Sequence, residues 1–302
     1  MIEIVAPGPL CTVQDGGRPG HAHLGVGRSG AVDRSAYRLA NRLVGNPAGA
    51  AALEITFGGL IAVLHDACLL AVTGAPCATT VTKAGLPTHL DLGDQQPVAV
   101  SAGSMISFAT PLAGVRTYLA VRGGLDTEVV LGSRSTNLLS GLGIDPLHAG
   151  DTLAVGPDPG TTVPTEPVPR FPVSDQPILI WPGPRRDWFE SESIGRLITT
   201  AYVAQSTSNR IGVRLAGVPL VRSVIGELAS EGLVEGAVQV PSDGQPLIFL
   251  ADHPTTGGYP VIAVVDEVDI VRIAQARPGD PLWFRWAAKE VRGWTPPRAT
   301  SS

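Results

Sequence analysis

Lysine is almost missing from this chain. Lys83 and Lys289 are the two lysines, and arginine supplies the rest of the 22 basic side chains. Neither lysine stands in a glycine-rich loop ending Gly-Lys-Ser/Thr, which excludes a P-loop for nucleotide phosphates. Charge of either sign is sparse at 16%, and the net value of −5 leaves no basic face for a nucleic acid. Aromatics make up 5%, so the core must come from Val, Leu, Ile and Ala. The three cysteines, Cys11, Cys68 and Cys77, form no CxxC and have no histidine at ligand spacing, so free buried thiols are expected. No apolar run approaches the roughly 20 residues of a membrane span, and the opening MIEIVAPGPL lacks the basic and apolar regions of a secretion signal. A cytoplasmic protein with no membrane contact is the expectation. Also missing are the GxSxG nucleophile elbow, the HExxH zinc motif and a dinucleotide fingerprint, since Gly141-Leu-Gly143 runs on into Ile-Asp-Pro.

What the chain does hold is glycine and proline, 36 and 27 among 302 residues. Dispersed as they are, they suit many short strands joined by tight turns. Residues 60–75 read as two buried strands around His65–Asp66, and 98–108 and 115–122 as further strands. In the second half 177–181, 213–221, 246–252 and 260–266 read the same way. Helices are expected over Val32–Val44, with an apolar stripe of Ala36, Leu39, Ala40 and Leu43, over Asp187 to about Ala201, and over Glu267–Ala276. The proline-laden stretch 157–176 reads as a linker, because proline cannot sit inside a sheet ladder. It divides the chain into domains at 1–156 and 177–290, with a tail at 291–302. The fold class is mainly β, a β-rich α+β chain with a few short helices. A weak repeat links Ala102–Phe108, Ala149–Val155 and Pro278–Phe284, each a Gly-bearing turn leading into a strand. Either tandem barrels or shared turn chemistry would produce it.

Three polar stretches could carry chemistry. The first, Thr12–Asp33, crowds Gln14, Asp15, Arg18, His21, His23, Arg28, Ser29 and Asp33 among glycines. It is a ligand loop or an ordered Ω-loop whose Asp15 and Arg18 pair internally. His21 and His23 lack a third ligand at sensible spacing, so no bound metal is expected. The second, Leu131–Gly143, sets Ser133, Ser135 and Thr136 around Arg134. That is an anion-binding turn or a helix N-cap. The third and richest runs from Ser206 to Pro260. On a strand Arg210 and Arg214 would share a face. Pro241–Gly244 reads as a tight turn, and Thr255–Gly258 as an anion-binding nest or a hairpin turn.

Nine runs in order resemble one family over residues 4–288. They include Thr12–Gly20, Ser29–Asp33, Leu39–Asn46, Leu53–Ile55, Arg116–Gly124, Leu131–Thr136, Asn209–Leu215, Gly236–Pro241 and Thr255–Pro260. The family is allophanate hydrolase subunit 2, also called KipA, the biotin-dependent carboxyltransferase subunit or the C subunit of 5-oxoprolinase. The resemblance implies tandem cyclophilin-like β-barrel domains. It implies a KipI-like partner (allophanate hydrolase subunit 1), and in the 5-oxoprolinase role ATP-dependent action on a small lactam with a LamB/YcsF-type protein. Urea carboxylase use implies instead a carboxyltransferase half-site that takes its carboxyl group from biotin. A third role is a regulatory module that antagonises a kinase inhibitor. In the 5-oxoprolinase role this chain is expected to be inactive without its partner.

Placed on the matching runs, Arg210 and Arg214 are expected as anion or carbonyl ligands, and Gln239 and Asp243 as amide-recognising groups. Thr255, Thr256, Gly257, Gly258 and Tyr259 are expected as a loop closing on the substrate. Gln14, Asp15, Arg18, Ser133, Arg134 and Ser135 are the first-domain binding candidates. His253-Pro254 replaces a more usual polar pair of the family beside that loop.

Overall fold

A computed structural model describes residues 1–83, 95–164, 168 and 176–287, with the backbone of 86–90 in addition. The expected tail and much of the expected linker lie outside the described residues. Among the described residues no helix is long and apolar enough to cross a membrane.

Strands dominate, as expected, and no sheet mixes strands from the two halves. The first half holds two sheets. One has seven strands, with Ile2–Pro7 between Thr152–Val155 and Leu60–Leu64, followed by Ser104–Phe108 and Thr79–Lys83. The other has five, in the order Leu10–Gln14, Ala52–Thr56, Arg116–Val121, Cys68–Gly74 and Val98–Val100. Their facing sides bury Ile4, Val13, Leu53, Ile55, Leu60, Leu70 and Leu119 in one cluster. In the second half eight strands form a nearly closed barrel. Its edge strands, Pro281–Leu282 and Phe284–Trp286, are consecutive in sequence, so one chain segment ties both edges. Ile178, Ile180, Leu215, Val238, Ile248, Ile262 and Phe284 fill its interior. Val32, from the first half, is buried in that same cluster.

The three repeat copies share a turn. Gly103, Gly150 and Gly279 all take positive φ, the region glycine enters without a Cβ penalty. Each turn is closed by the same bond, Ser104 N to Ser101 O, Asp151 N to His148 O and Asp280 N to Arg277 O. Turn chemistry is enough to account for the similarity.

The helices are shorter than the periodicity suggests. Helix α1 spans Arg34–Leu43, capped by Asp33, whose carboxylate accepts from the Ala36 amide. The expected second helix is broken. A 3₁₀ turn covers Arg186–Trp188, Phe189 extends into the barrel core, and α2 begins at Ser191 and ends at Thr199. Burial of Phe189 outweighs helix continuation. The third is a 3₁₀ turn at Glu267–Asp269 leading into α3, Ile270–Ala274. The strand expected over 213–221 covers Gly212–Ala216. Beyond it Gly217 lies against the Tyr202 ring and Pro219 has no N–H to give the ladder. The chain therefore leaves the sheet and forms an open loop.

Candidate active site

Arg210 does not face a cleft. It precedes its strand, so the alternation that would pair it with Arg214 does not apply. Arg210 is wholly buried and Arg214 is exposed. Its Nε donates to Asp252 Oδ2 at 2.9 Å, Nη1 to Glu54 Oε1 at 2.5 Å, and Nη2 to the Gly30 carbonyl at 2.7 Å. Burial works against the charge, but Asp252 and Glu54 outweigh it and hold the guanidinium above its ordinary pKa. The expected ligand arginine is thus spent on a bolt between the halves. Glu54 comes from the first half, at the centre of Ala52–Thr56. Its other oxygen accepts from Tyr118 Oη at 2.6 Å and from the Val32 amide at 3.0 Å. Asp252 accepts from Ser29 Oγ at 2.7 Å and from the Leu138 amide at 3.0 Å. Arg116, Gln275 and Asp33 extend the same seam.

Burial pushes the Asp33 carboxyl above its usual range, partly offset by bonds from the Ala36 amide and Gln275. A carboxyl raised in the folded state costs stability at neutral pH, and that cost fades as pH falls through the raised value. Asp33→Asn keeps an oxygen to cap α1 but removes this titration. Its urea-unfolding free energy, followed from neutral to mildly acidic pH, should lose the wild-type component that favours the fold on acidification. An unchanged pH slope would show that Asp33 is not the group responsible.

The first-domain candidates do come together, most of their polar atoms bonded within the cluster. Asp15 Oδ1 accepts from Ser133 Oγ and Ser135 Oγ at 2.6 Å and from the Gly17 amide at 2.7 Å. Asp15 Oδ2 accepts from the Arg134 amide at 2.7 Å. Arg18 donates to the carbonyls of Val130 and Ser135, and Gln14 to Thr12 Oγ1 and the Thr136 carbonyl. The Arg134 guanidinium turns outward to Asp126. The hydroxyls expected to surround that guanidinium bind a carboxylate instead, and Asp15 and Arg18 each take other partners; among the described residues Arg18 Nη1, Gln14 Oε1 and Thr136 Oγ1 are buried with no hydrogen-bond partner.

Of the second-half candidates Asp243 alone lines a cleft, and Gln239 and Tyr259 stand near it. Gln239 ends a barrel strand with its side chain buried, and Nε2 donates to the Tyr259 carbonyl at 3.0 Å. The same Nε2 lies 2.8 Å from where a Cβ on Gly257 would stand, so a larger residue there would push on the Gln239 side chain. Thr256–Gly257 pairs with Glu231–Gly232 as a small ribbon, and the Thr255 carbonyl accepts from the Leu233 amide. Thr255–Gly258 is therefore not a hairpin turn, since its partner strand lies some way back in the chain; Thr256, Gly258 and Tyr259 are exposed. Arg185 grips Glu231 through Nε at 2.9 and 3.0 Å, fixing the ribbon against the barrel. Asp243 sits in the Pro241–Gly244 turn and accepts from the Gln245 amide at 3.0 Å.

Beside Gln239 and Tyr259 lies a cavity of about 430 Å³ with loop 219–226 as one wall and turn 241–244 as the other. That volume falls within the roughly 300–1,000 Å³ of small-molecule sites. Arg222 lines it, and sequence reading missed this residue. Its guanidinium lies 5.7 Å from the Tyr259 ring centroid, and Nη2 donates to the Val240 carbonyl at 2.5 Å. No motif surrounds it; a lone arginine in an apolar loop, Val-Pro-Leu-Val-Arg, was the available signal.

Comparison with known proteins gives one consistent result. The model of the carboxyltransferase domain, subdomain A and B, matches residues 24–286. The chain is 39% identical to the C subunit of 5-oxoprolinase from Escherichia coli (strain K12), over 94% of this chain and 90% of that protein. It is 32% identical to urea amidolyase of Saccharomyces cerevisiae over 94% of its own length, but spans 16% of that protein. The crystal structure of TTHA0988 superposes with a TM-score of 0.82 at 35% identity, covering 94% of this chain and 55% of that one.

Proposed function

Since the chain belongs to the carboxyltransferase family of subdomains A and B, we propose that it is the C subunit of an ATP-dependent 5-oxoprolinase. The observation that carries this reading is the near end-to-end match, 94% of this chain against 90% of the Escherichia coli protein. The match to urea amidolyase spans a small part of a much larger protein. On this reading the chain works with a KipI-like subunit and a LamB/YcsF-type protein in the cytoplasm. ATP activates the lactam oxygen of 5-oxoproline, ADP leaves, and water opens the ring to glutamate with release of phosphate. This chain has no P-loop for the nucleotide, so the partner is assigned the phosphates.

The chain's own part is recognition and orientation. Gln239 holds the Tyr259 backbone and with it the edge of the cleft. Fixed groups that position a small amide cost no reorganisation during reaction. Its open side is where the partner is expected to complete the site, and the chain alone is expected to be inactive.

Co-purification with a KipI-like subunit and addition of a LamB-type protein tests the proposal. ADP release should rise when 5-oxoproline is added and stay at background with urea and carboxybiotin. Urea-dependent loss of carboxybiotin, with no response to 5-oxoproline, would replace this reading with carboxyl transfer. Stable binding to the KipI-like subunit with neither activity would favour the regulatory module.

A further inference from the structure

The cavity beside Tyr259 carries one cation and one carboxylate among its lining residues, on different walls. Arg222 belongs to loop 219–226 and Asp243 to turn 241–244. The walls are joined at their base, where the Leu220 amide donates to the Gly244 carbonyl at 2.9 Å. Pro219 packs against Gly244, 2.9 Å from the position a Cβ would take. Arg222 follows this seam by two residues and Asp243 precedes it by one, so both stand at the mouth with their backbones tied. The remaining lining is largely apolar, with Pro219, Val221, Val224, Ile225 and Pro241.

Arg222 is held by everything except an anion. Val240 takes one N–H and the Tyr259 ring covers the guanidinium. Among the described residues Nε has no hydrogen-bond partner, and no carboxylate forms an ion pair with Arg222. A half-buried guanidinium without a counter-ion is a receptor for one, because charge-assisted pairs are the strong ones in a partly dry site. Asp243 lines the same cavity and uses Oδ1 for the Gln245 amide, which leaves its second oxygen as an acceptor.

We propose that Arg222 is the carboxylate receptor of this cavity and Asp243 its amide N–H acceptor. The class of ligand is a small cyclic amide bearing a carboxylate, its ring resting on the apolar lining. A neutral amide such as urea offers N–H groups to Asp243 and only an uncharged carbonyl to Arg222, so the charge-assisted pair at Arg222 sets specificity. The choice of 5-oxoproline as probe rests on the function proposed above; the receptor itself rests on the cavity.

The test compares 5-oxoproline with its uncharged carboxamide, 5-oxoprolinamide, by calorimetry on the complex with the KipI-like subunit. The wild type should prefer the acid. Arg222→Gln should weaken the acid by roughly 10- to 100-fold, the scale of a lost charge-assisted pair, and leave the carboxamide within about twofold. Arg222→Lys should recover part of the loss for the acid, and its normal carboxamide binding controls for folding. Equal weakening of both ligands, no weakening, or no binding of the acid to the wild type overturns the proposal. Because binding is read directly, absent ADP release would count against the proposed reaction and leave the receptor result standing.

Discussion

Replacing Arg210 by alanine is expected to lower the unfolding free energy by about 3–5 kcal/mol, the scale for breaking a buried ion pair from one side. The loss comes less from the missing guanidinium than from what stays behind. Glu54 and Asp252 are both wholly buried, and each would face an apolar void with its charge uncompensated. Arg116 lies 3.7 Å from Glu54 and relieves a fraction of this. Arg210→Lys should recover little, because one ammonium cannot serve Glu54, Asp252 and the Gly30 carbonyl in the fork geometry. Urea unfolding followed by tryptophan fluorescence and by circular dichroism checks this. A loss under about 1 kcal/mol would mean the pair behaves as a surface salt bridge.

The second large effect is expected at Asp15. Asp15→Ala removes the acceptor of two hydroxyls and two backbone amides. Ser133 and Ser135 can turn their hydroxyls elsewhere, but the Gly17 and Arg134 amides are fixed. At about 1–3 kcal/mol for each of the two stranded amides, the cost is about 2–6 kcal/mol. Asp15→Asn should lose less, since one oxygen remains. The measurement is the urea midpoint at constant slope, paired with activity of the complex at low temperature. A variant that keeps its midpoint and loses turnover would restore Asp15 to the ligand site.

Much of the fold was legible because strands and turns are written locally. The apolar runs 60–64 and 68–74, parted by His65–Asp66, emerge as two strands, while α3 ends at Ala274, ahead of the Pro278–Gly279 stop. The helix over 187–201 was misjudged because its period ignores where Phe189 is buried. The site was half legible. Gln239 and Tyr259 touch each other, and Asp243 lines the neighbouring cavity, since loops that leave one barrel rim are neighbours in space. Arg210 was misassigned because sequence does not tell a cation facing solvent from one facing another domain. The missing clue was its acceptor: Glu54 is a lone carboxylate in Ala-Leu-Glu-Ile-Thr, an apolar strand that needed a partner from far away. Arg222 carried no motif, and only the cavity gives it meaning.

Val32 sits in the barrel core of the second half, beside a seam whose acids lie on both sides of it. This imposes an order of events on a chain made from its N-terminus. Until the second half has been synthesised, Glu54 keeps its water and Val32 has no socket. Docking must then dehydrate Glu54, Arg210 and Asp252 together, because any one alone would be stranded. Closing the seam is therefore a solvent-stripping step that the two halves share.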